Sequence, residues 1–187
     1  MLRRVKLLRH PQSRGSSVLE IDVEIARSAS ALTLIYAVRG DIEAVSLPKE
    51  VAPARADGLW QHTCFEAFVR SSPAPAYREF NFSPSRQWAA YRFDDYRQGM
   101  TTDVVIADPR IELQSDDGET RLLASLDLSD AAAWDAAKDW RLGLSAVIED
   151  RDGGRSWWAL AHPPGNPDFH HGDGFVLTLP PERTLGR

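Results

Sequence analysis

One stretch constrains the fold more than any other. Val18-Leu19-Glu20-Ile21-Asp22-Val23-Glu24-Ile25-Ala26 alternates apolar Leu19, Ile21, Val23 and Ile25 with acidic Glu20, Asp22 and Glu24. Side chains of an extended chain point to opposite faces in turn, so this period of two reads as a half-buried antiparallel strand. Ala31 to Arg39 repeats the extended character after the short break Ser28-Ala29-Ser30, and the two runs predict a hairpin.

The same pattern recurs along the chain. Leu2 to Leu8 is a first short strand candidate. Leu47 to Gly58 reads as a loop, with Pro48, Pro53 and the turn signal Asp57-Gly58. Three strand runs follow, Trp60–Arg70, Tyr77–Phe82 and Gln87–Phe93, separated by turns at 71–76 and 83–85. Further strands are predicted around Val104–Ile106, Ile111–Gln114, Leu122–Leu126, Arg141–Glu149, Ser156–Ala161 and Phe175–Leu179. The one helix candidate is Ser129–Lys138, where Ser129 or Asp130 can cap an alanine-rich run. Many short strands with regularly spaced turns predict an all-β, two-sheet antiparallel sandwich with one short helix. A chain of 187 residues suffices for one core, and no repeat or linker divides it, so residues 1–187 are expected to form a single domain.

Charge and cysteine content limit the partners. Lys plus Arg is 22 against 27 for Asp plus Glu, a net charge of −5, which lacks the basic footprint that nucleic acid or an anionic membrane demands. Cys64 is the single cysteine, so no intrachain disulfide can form. Basic residues interrupt the first ten positions, which therefore do not read as a signal peptide, and no later run is long enough to span a bilayer. A cytoplasmic protein is expected.

Candidate ligand-binding residues come from strand faces. In the run from Trp60, one face would carry Trp60, His62, Cys64, Glu66 and Phe68, a mixture that suits a lined pocket better than a core. The next run places Tyr77, Glu79 and Asn81 on one face, and the third carries Arg92. If the three strands are neighbours, Glu66, Glu79, Asn81 and Arg92 can meet on one surface. A carboxylate, an amide and a guanidinium beside an indole match the hydroxyls and C–H face of a sugar. The bland reading is an Arg–Glu pair among core aromatics. At Trp157-Trp158, neighbours on a strand, one indole is expected inside and the other outside. His162, Asp168, His170, His171 and Asp173 share a Pro- and Gly-rich loop but lack a recognised metal-ligand spacing. A calcium site there is an alternative. The carboxylates Glu66 and Glu79 raise a glycoside-processing alternative. His62 and Cys64 share a face, but a buried structural cysteine is the simpler reading.

Leu59-Trp60-Gln61-His62-Thr63-Cys64-Phe65-Glu66-Ala67-Phe68, Tyr77-Arg78-Glu79-Phe80-Asn81-Phe82-Ser83-Pro84-Ser85, Gln87–Phe93, Tyr96–Met100, Trp158–Pro163 and Pro167–His170 together resemble bacterial DOMON-like proteins related to family 9 carbohydrate-binding modules. The resemblance runs from Leu59 to about Phe175. It implies a β-sandwich that binds sugars or, in other branches, haem. In the sugar-binding relatives two tryptophans sandwich the ligand while a glutamate, an arginine and amides hold its hydroxyls. Trp60, Glu66 and Arg92 would fill that pattern, with Trp157 or, by preference, Trp158 as the second platform. The haem alternative has His62, His162 and Met100 as available ligands. The expectation is a non-catalytic module for a small soluble sugar, with Trp60, His62, Glu66, Glu79, Asn81, Arg92, Trp158 and His162 around it and no resident cofactor.

Overall fold

The computed structural model describes residues 2–14, 16–71, 75–129 and 138–181. The described chain is nearly all strand: β1 Leu2–Arg9, β2 Val18–Arg27, β3 Ala31–Gly40, β4 Ala54–Arg55, β5 Cys64–Ser71, β6 Tyr77–Phe82, β7 Gln87–Phe93, β8 Thr101–Thr102, β9 Arg110–Asp116, β10 Glu119–Asp127, β11 Trp140–Glu149, β12 Arg155–Ala159 and β13 Leu177–Leu179. Single 3-10 turns occur at Ile42–Ala44, Leu59–Gln61 and Gly172–Gly174.

The strands join in the order β4-β7-β6-β5-β11-β12-β1-β2-β3-β10-β9, with β13 added to β11 and β8 to β7. β1 is shared between the two halves of this path. Its residues Leu2–Leu7 pair with β2, and Leu8 and Arg9 pair with β12. The sheet therefore curls at β1, and its halves face each other across one core. Ile21, Ile25, Leu34 and Tyr36 from β2 and β3 share that core with Phe65, Phe80, Phe82 and Trp88 from β5, β6 and β7. The Tyr36 hydroxyl crosses the core and donates to the backbone carbonyl of Glu66 at 2.8 Å, while its ring lies 5.0 Å from that of Phe65.

Several expectations need correction. The sheet is mixed rather than purely antiparallel, because β4 pairs with β7 in parallel. The predicted helix at Ser129–Lys138 lies largely on residues 130–137, outside the described residues. Val104–Ile106 is a turn, not a strand. The strand predicted from Trp60 starts only at Cys64. Gly58 takes a left-handed conformation (φ 71°, ψ 18°), and Gln61 N–H and His62 N–H close a 3-10 turn onto Gly58 and Leu59. That turn breaks the two-residue period, so Trp60 and His62 do not continue the β5 row.

The outward faces of the two halves differ. On β1, β2 and β3 the outward side chains form a charged lattice, with Arg4–Glu24 at 2.8 Å, Lys6–Glu20 at 2.6 Å and Arg39 bridging Glu20 and Asp22 at 2.9 and 2.8 Å. Exposed pairs of this kind contribute only about 0–1 kcal/mol each, so the lattice keeps that face wet rather than holding the fold. The outward face of β5, β6 and β7 carries a second apolar cluster instead: Phe68, Tyr77, Ala89, Tyr91, Phe93 and Phe175, with Leu59 and Phe169 packed on it. Cys64 through Val69 are consequently all buried. β5 has no solvent side, which is why neither of its rows reads as a clean core face.

The Tyr36 contact is testable. Tyr36→Phe keeps the packing but leaves a buried carbonyl short of one donor, so urea unfolding should show a loss of about 1–2 kcal/mol. An unchanged midpoint would mean that the hydroxyl does not bridge the layers in solution.

Candidate functional site

The register of the strands builds the site. Glu66 on β5 lies between Asn81 on β6 and Ser145 on β11, and Ser145 faces Ala159 on β12. One step along, Phe68 lies between Glu79 and Gly143. Glu66, Asn81, Glu79, Phe68 and Ser145 therefore share one face, the covered outward one. Glu66 and Glu79 are diagonal neighbours, with backbones about 7–8 Å apart in such a pairing.

These polar groups are enclosed. Exposure is 3% for Glu66, 6% for Glu79 and 1% for Asn81. Asn81 Nδ2 donates to Glu79 Oε1 at 2.7 Å, and Cys64 Sγ contacts Asn81 Oδ1 at 3.7 Å. Among the described residues, the Glu66 carboxyl receives one bond, a long one from Ser145 Oγ, 3.4 Å to Oε2. Burial pushes the Glu66 carboxyl well above the usual carboxylate range, and the neighbouring Glu79 adds to the rise; Ser145 opposes it. Burial raises Glu79 as well, against the pull of the Asn81 bond and the charge of Arg97.

His170 completes the row from above. Arg97 N–H donates to the Tyr77 hydroxyl at 3.2 Å, and that hydroxyl hydrogen-bonds His170 Nδ1 at 2.8 Å. The other ring nitrogen, Nε2, lies 3.7 Å from Glu79 Oε2. Burial, reinforced by the Arg97 charge, lowers the His170 pKa to about 4. The His170–Glu79 approach is thus a neutral imidazole facing a carboxyl, not an ion pair, at neutral pH. Farther out, Asp168 accepts from the Tyr96 hydroxyl at 2.6 Å and from Arg97 Nη2 at 2.8 Å.

Beside this polar row lies a small cavity of about 10 Å³, partly open to solvent and with room for roughly one water. Phe68, Gly143 and Ser145 form its floor, and Ala161, Phe169 and Gly174 complete the lining. Glu66 stands next to the floor, linked to it through Ser145.

The structure brings Glu66, Glu79 and Asn81 together as the facing argument requires. It separates the other candidates from them. Trp60 sits on the 3-10 turn and is 53% exposed. His62 is exposed and engages Glu149 Oε2 at 2.7 Å. Arg92 registers with Arg78 and Thr101 and points to the opposite face from Glu79, since it is one residue out of phase with Tyr91. Trp158, expected as a platform, is a core residue, 4% exposed, with its indole N–H on Ser156 Oγ at 3.0 Å. Trp157 has the outward orientation: it registers with Val147, which registers with Cys64, on the face of Glu66. His162 Nε2 bonds the Leu8 carbonyl at 2.8 Å, edge-on to His10. Met100 is exposed.

Sequence reasoning missed Arg97, Ser145 and Phe169, and assigned Asp168 and His170 to a loop of metal-capable groups. Among the described residues no group of three or more His, Cys, Asp or Glu side chains gathers to hold a metal ion. No local pattern points to Arg97: its partners lie 20 and 71 residues away in the sequence.

Neither a family model nor a curated protein sequence matches the chain. Solved structures do. A candidate carbohydrate-binding protein of Bacteroides uniformis superposes with a TM-score of 0.68 at 15% identity, covering 94% of this chain and 84% of that one. A family 9 carbohydrate-binding module of Caldicellulosiruptor kristjanssonii, solved with glucose, superposes with a TM-score of 0.54 at 14% identity, covering 94% and 83%. The chain shares their fold. At such identities the likeness concerns architecture and leaves each side chain to be argued from its own surroundings.

The buried carboxyls give a pH prediction. A carboxyl raised in the folded state holds its proton there while the unfolded chain gives it up, so stability falls as pH rises above the ordinary carboxylate range. Glu66→Gln removes that cost. Its melting temperature should exceed the parent's by about 2 °C or more at pH 7, with the gap closing near pH 4. A gap independent of pH would show that Glu66 is ionised and compensated.

Proposed function

We propose that this protein is a non-catalytic carbohydrate-binding module whose ligand is a small sugar, taken at the covered face of β5, β6 and β11. One observation carries the reading: under-bonded carboxyls, an amide and a serine hydroxyl are gathered beside a pocket walled by two phenylalanines. A sugar presents hydroxyl edges and a C–H face, and it needs both kinds of surface at once. A protonated carboxyl donates one hydrogen bond and accepts others, so Glu66 and Glu79 together can serve hydroxyls of either orientation. The cavity as it stands is about 10 Å³, room for roughly one water, so a sugar is taken here only when the cover over the row moves aside.

Two aromatics outside this row are taken as platforms. They are the exposed Trp60 indole on the 3-10 turn before β5 and the outward Trp157 of β12, and Trp60 also belongs to the residues that resemble the family 9 modules. The shared fold with a glucose-bound module supports the ligand class. A hydrolase reading is less well supported, because two-carboxylate hydrolysis needs one group ionised and burial favours the neutral form of both.

Isothermal titration calorimetry against mono- and disaccharides tests the proposal. Saturable heat with at least one monosaccharide is expected. Trp60→Ala should weaken it about tenfold or more while shifting the melting temperature little, because the side chain is largely exposed. Trp158→Ala should instead cost about 3–5 kcal/mol of stability, as for other buried tryptophans. The absence of heat with every sugar would overturn the reading.

A further inference from the structure

We propose that residues 163–174 form a strap that must lift from the sheet before any ligand reaches Glu66, Asn81 and Glu79, and that Asp168 is its latch. The inference rests on the placement of the site described above, and it adds a moving part to that site.

Three observations carry it. First, the polar row is sealed: Glu66, Asn81 and Glu79 are each less than a tenth exposed, so nothing binds them while the cover stays in place. The cover over this row includes Phe169 and His170, the one lining the pocket and the other facing Glu79.

Second, the strap's backbone is fixed at its ends and not along its length. Before it, Leu160 N–H bonds the Leu144 carbonyl at 3.0 Å, and His162 holds the Leu8 carbonyl. After it, Phe175 is buried beneath the Arg70 guanidinium, Arg141 Nε donates to the Phe175 carbonyl, and β13 pairs with β11. Between these anchors, the backbone-to-backbone bonds of the described residues are local to the strap and its exit, Gly174 N–H to His171, Phe175 N–H to Gly172 and Val176 N–H to Gly174. No ladder ties the span to the sheet. A segment with few backbone bonds to the body belongs to the low end of local opening free energies.

Third, side chains tie it down: Phe169 packs on the outward cluster, the His170 ring lies edge-on to Phe68 and Phe93 at 5.0 and 5.1 Å, and hydrogen bonds fasten the rim. Asp168 is gripped by Tyr96 and Arg97, both on the 94–100 loop, and His170 is gripped by Tyr77. The same Asp168 oxygen that meets Arg97 also accepts the His170 N–H at 3.1 Å. Asp168 thus joins the outer fastening to the residue over Glu79. Where the strap comes down on β11 it lies close: a Cβ at Gly143 would stand 3.2 Å from the Gly174 carbonyl oxygen.

Thiol labelling reads strap opening without any sugar. Ser145→Cys, in a Cys64→Ala background, puts a thiol on the pocket floor under Phe169. Its reaction with a maleimide should be slow in that protein and roughly tenfold faster or more when Asp168→Ala or Arg97→Ala is added, at matching thermal midpoints. Hydrogen exchange of the 163–174 amides should speed up in the same two variants, with the core strands unchanged. Labelling and exchange that ignore both substitutions would overturn the strap, whatever sugar binds. Accelerated labelling together with no heat from any sugar would keep the strap and sink the carbohydrate reading.

Discussion

The covering of β5 on both faces is the constraint on which the rest of this structure depends. Inward, Phe65, Ala67 and Val69 meet the β2–β3 half of the sheet across the main core. Outward, Phe68 lies under Phe175 and within the cluster of Tyr77, Tyr91 and Phe93. Glu66 belongs to the outward row and is therefore enclosed by the same loops that bury Phe68. An enclosed carboxyl without a cation is costly unless it keeps its proton or gains hydrogen bonds. Among the described residues its surroundings supply a long serine hydrogen bond and the charge of Arg97, so the site holds hydrogen-bonding capacity that these contacts do not use.

The two halves of the curled sheet manage their outward faces in opposite ways, and the division of labour follows. The β1–β3 half spends its outward positions on Arg, Lys, Glu and Asp in a lattice that water can reach. That half needs nothing above it. The β5–β7 half has aromatic outward positions, which require a cover, and the cover comes from the chain segments around Leu59, Tyr96 and Phe169. Loops that close over an apolar face can also admit a ligand beneath them.

Parts of the site were legible in the sequence, and the reason is the fixed period of two. Once Glu66, Asn81 and Glu79 lie on adjacent strands, alternation puts them on one face. The same arithmetic failed at Trp60 and His62 because Gly58 turns the chain into a 3-10 turn just ahead of β5. It failed at Arg92 because a facing argument within one strand says nothing of which face each neighbouring strand turns to the site. Trp157 and Trp158 had to diverge, but the choice between them depends on β12 lying between β11 and β1, which puts Trp158 in the core. Arg97 and Asp168 escaped because their pairing joins two loops 71 residues apart.

By itself the sequence determined that this chain is built from short strands, that the β2–β3 hairpin has one wet face, and that Glu66, Glu79 and Asn81 are candidates to act together. Those are consequences of side-chain alternation and turn chemistry, both local. The tertiary structure alone decided that the sheet curls at β1, that β5 loses its solvent side, and that a segment a hundred residues downstream closes over the carboxyls. Such outcomes depend on which surfaces find each other in space, and burial of apolar area rewards contact without regard to sequence separation.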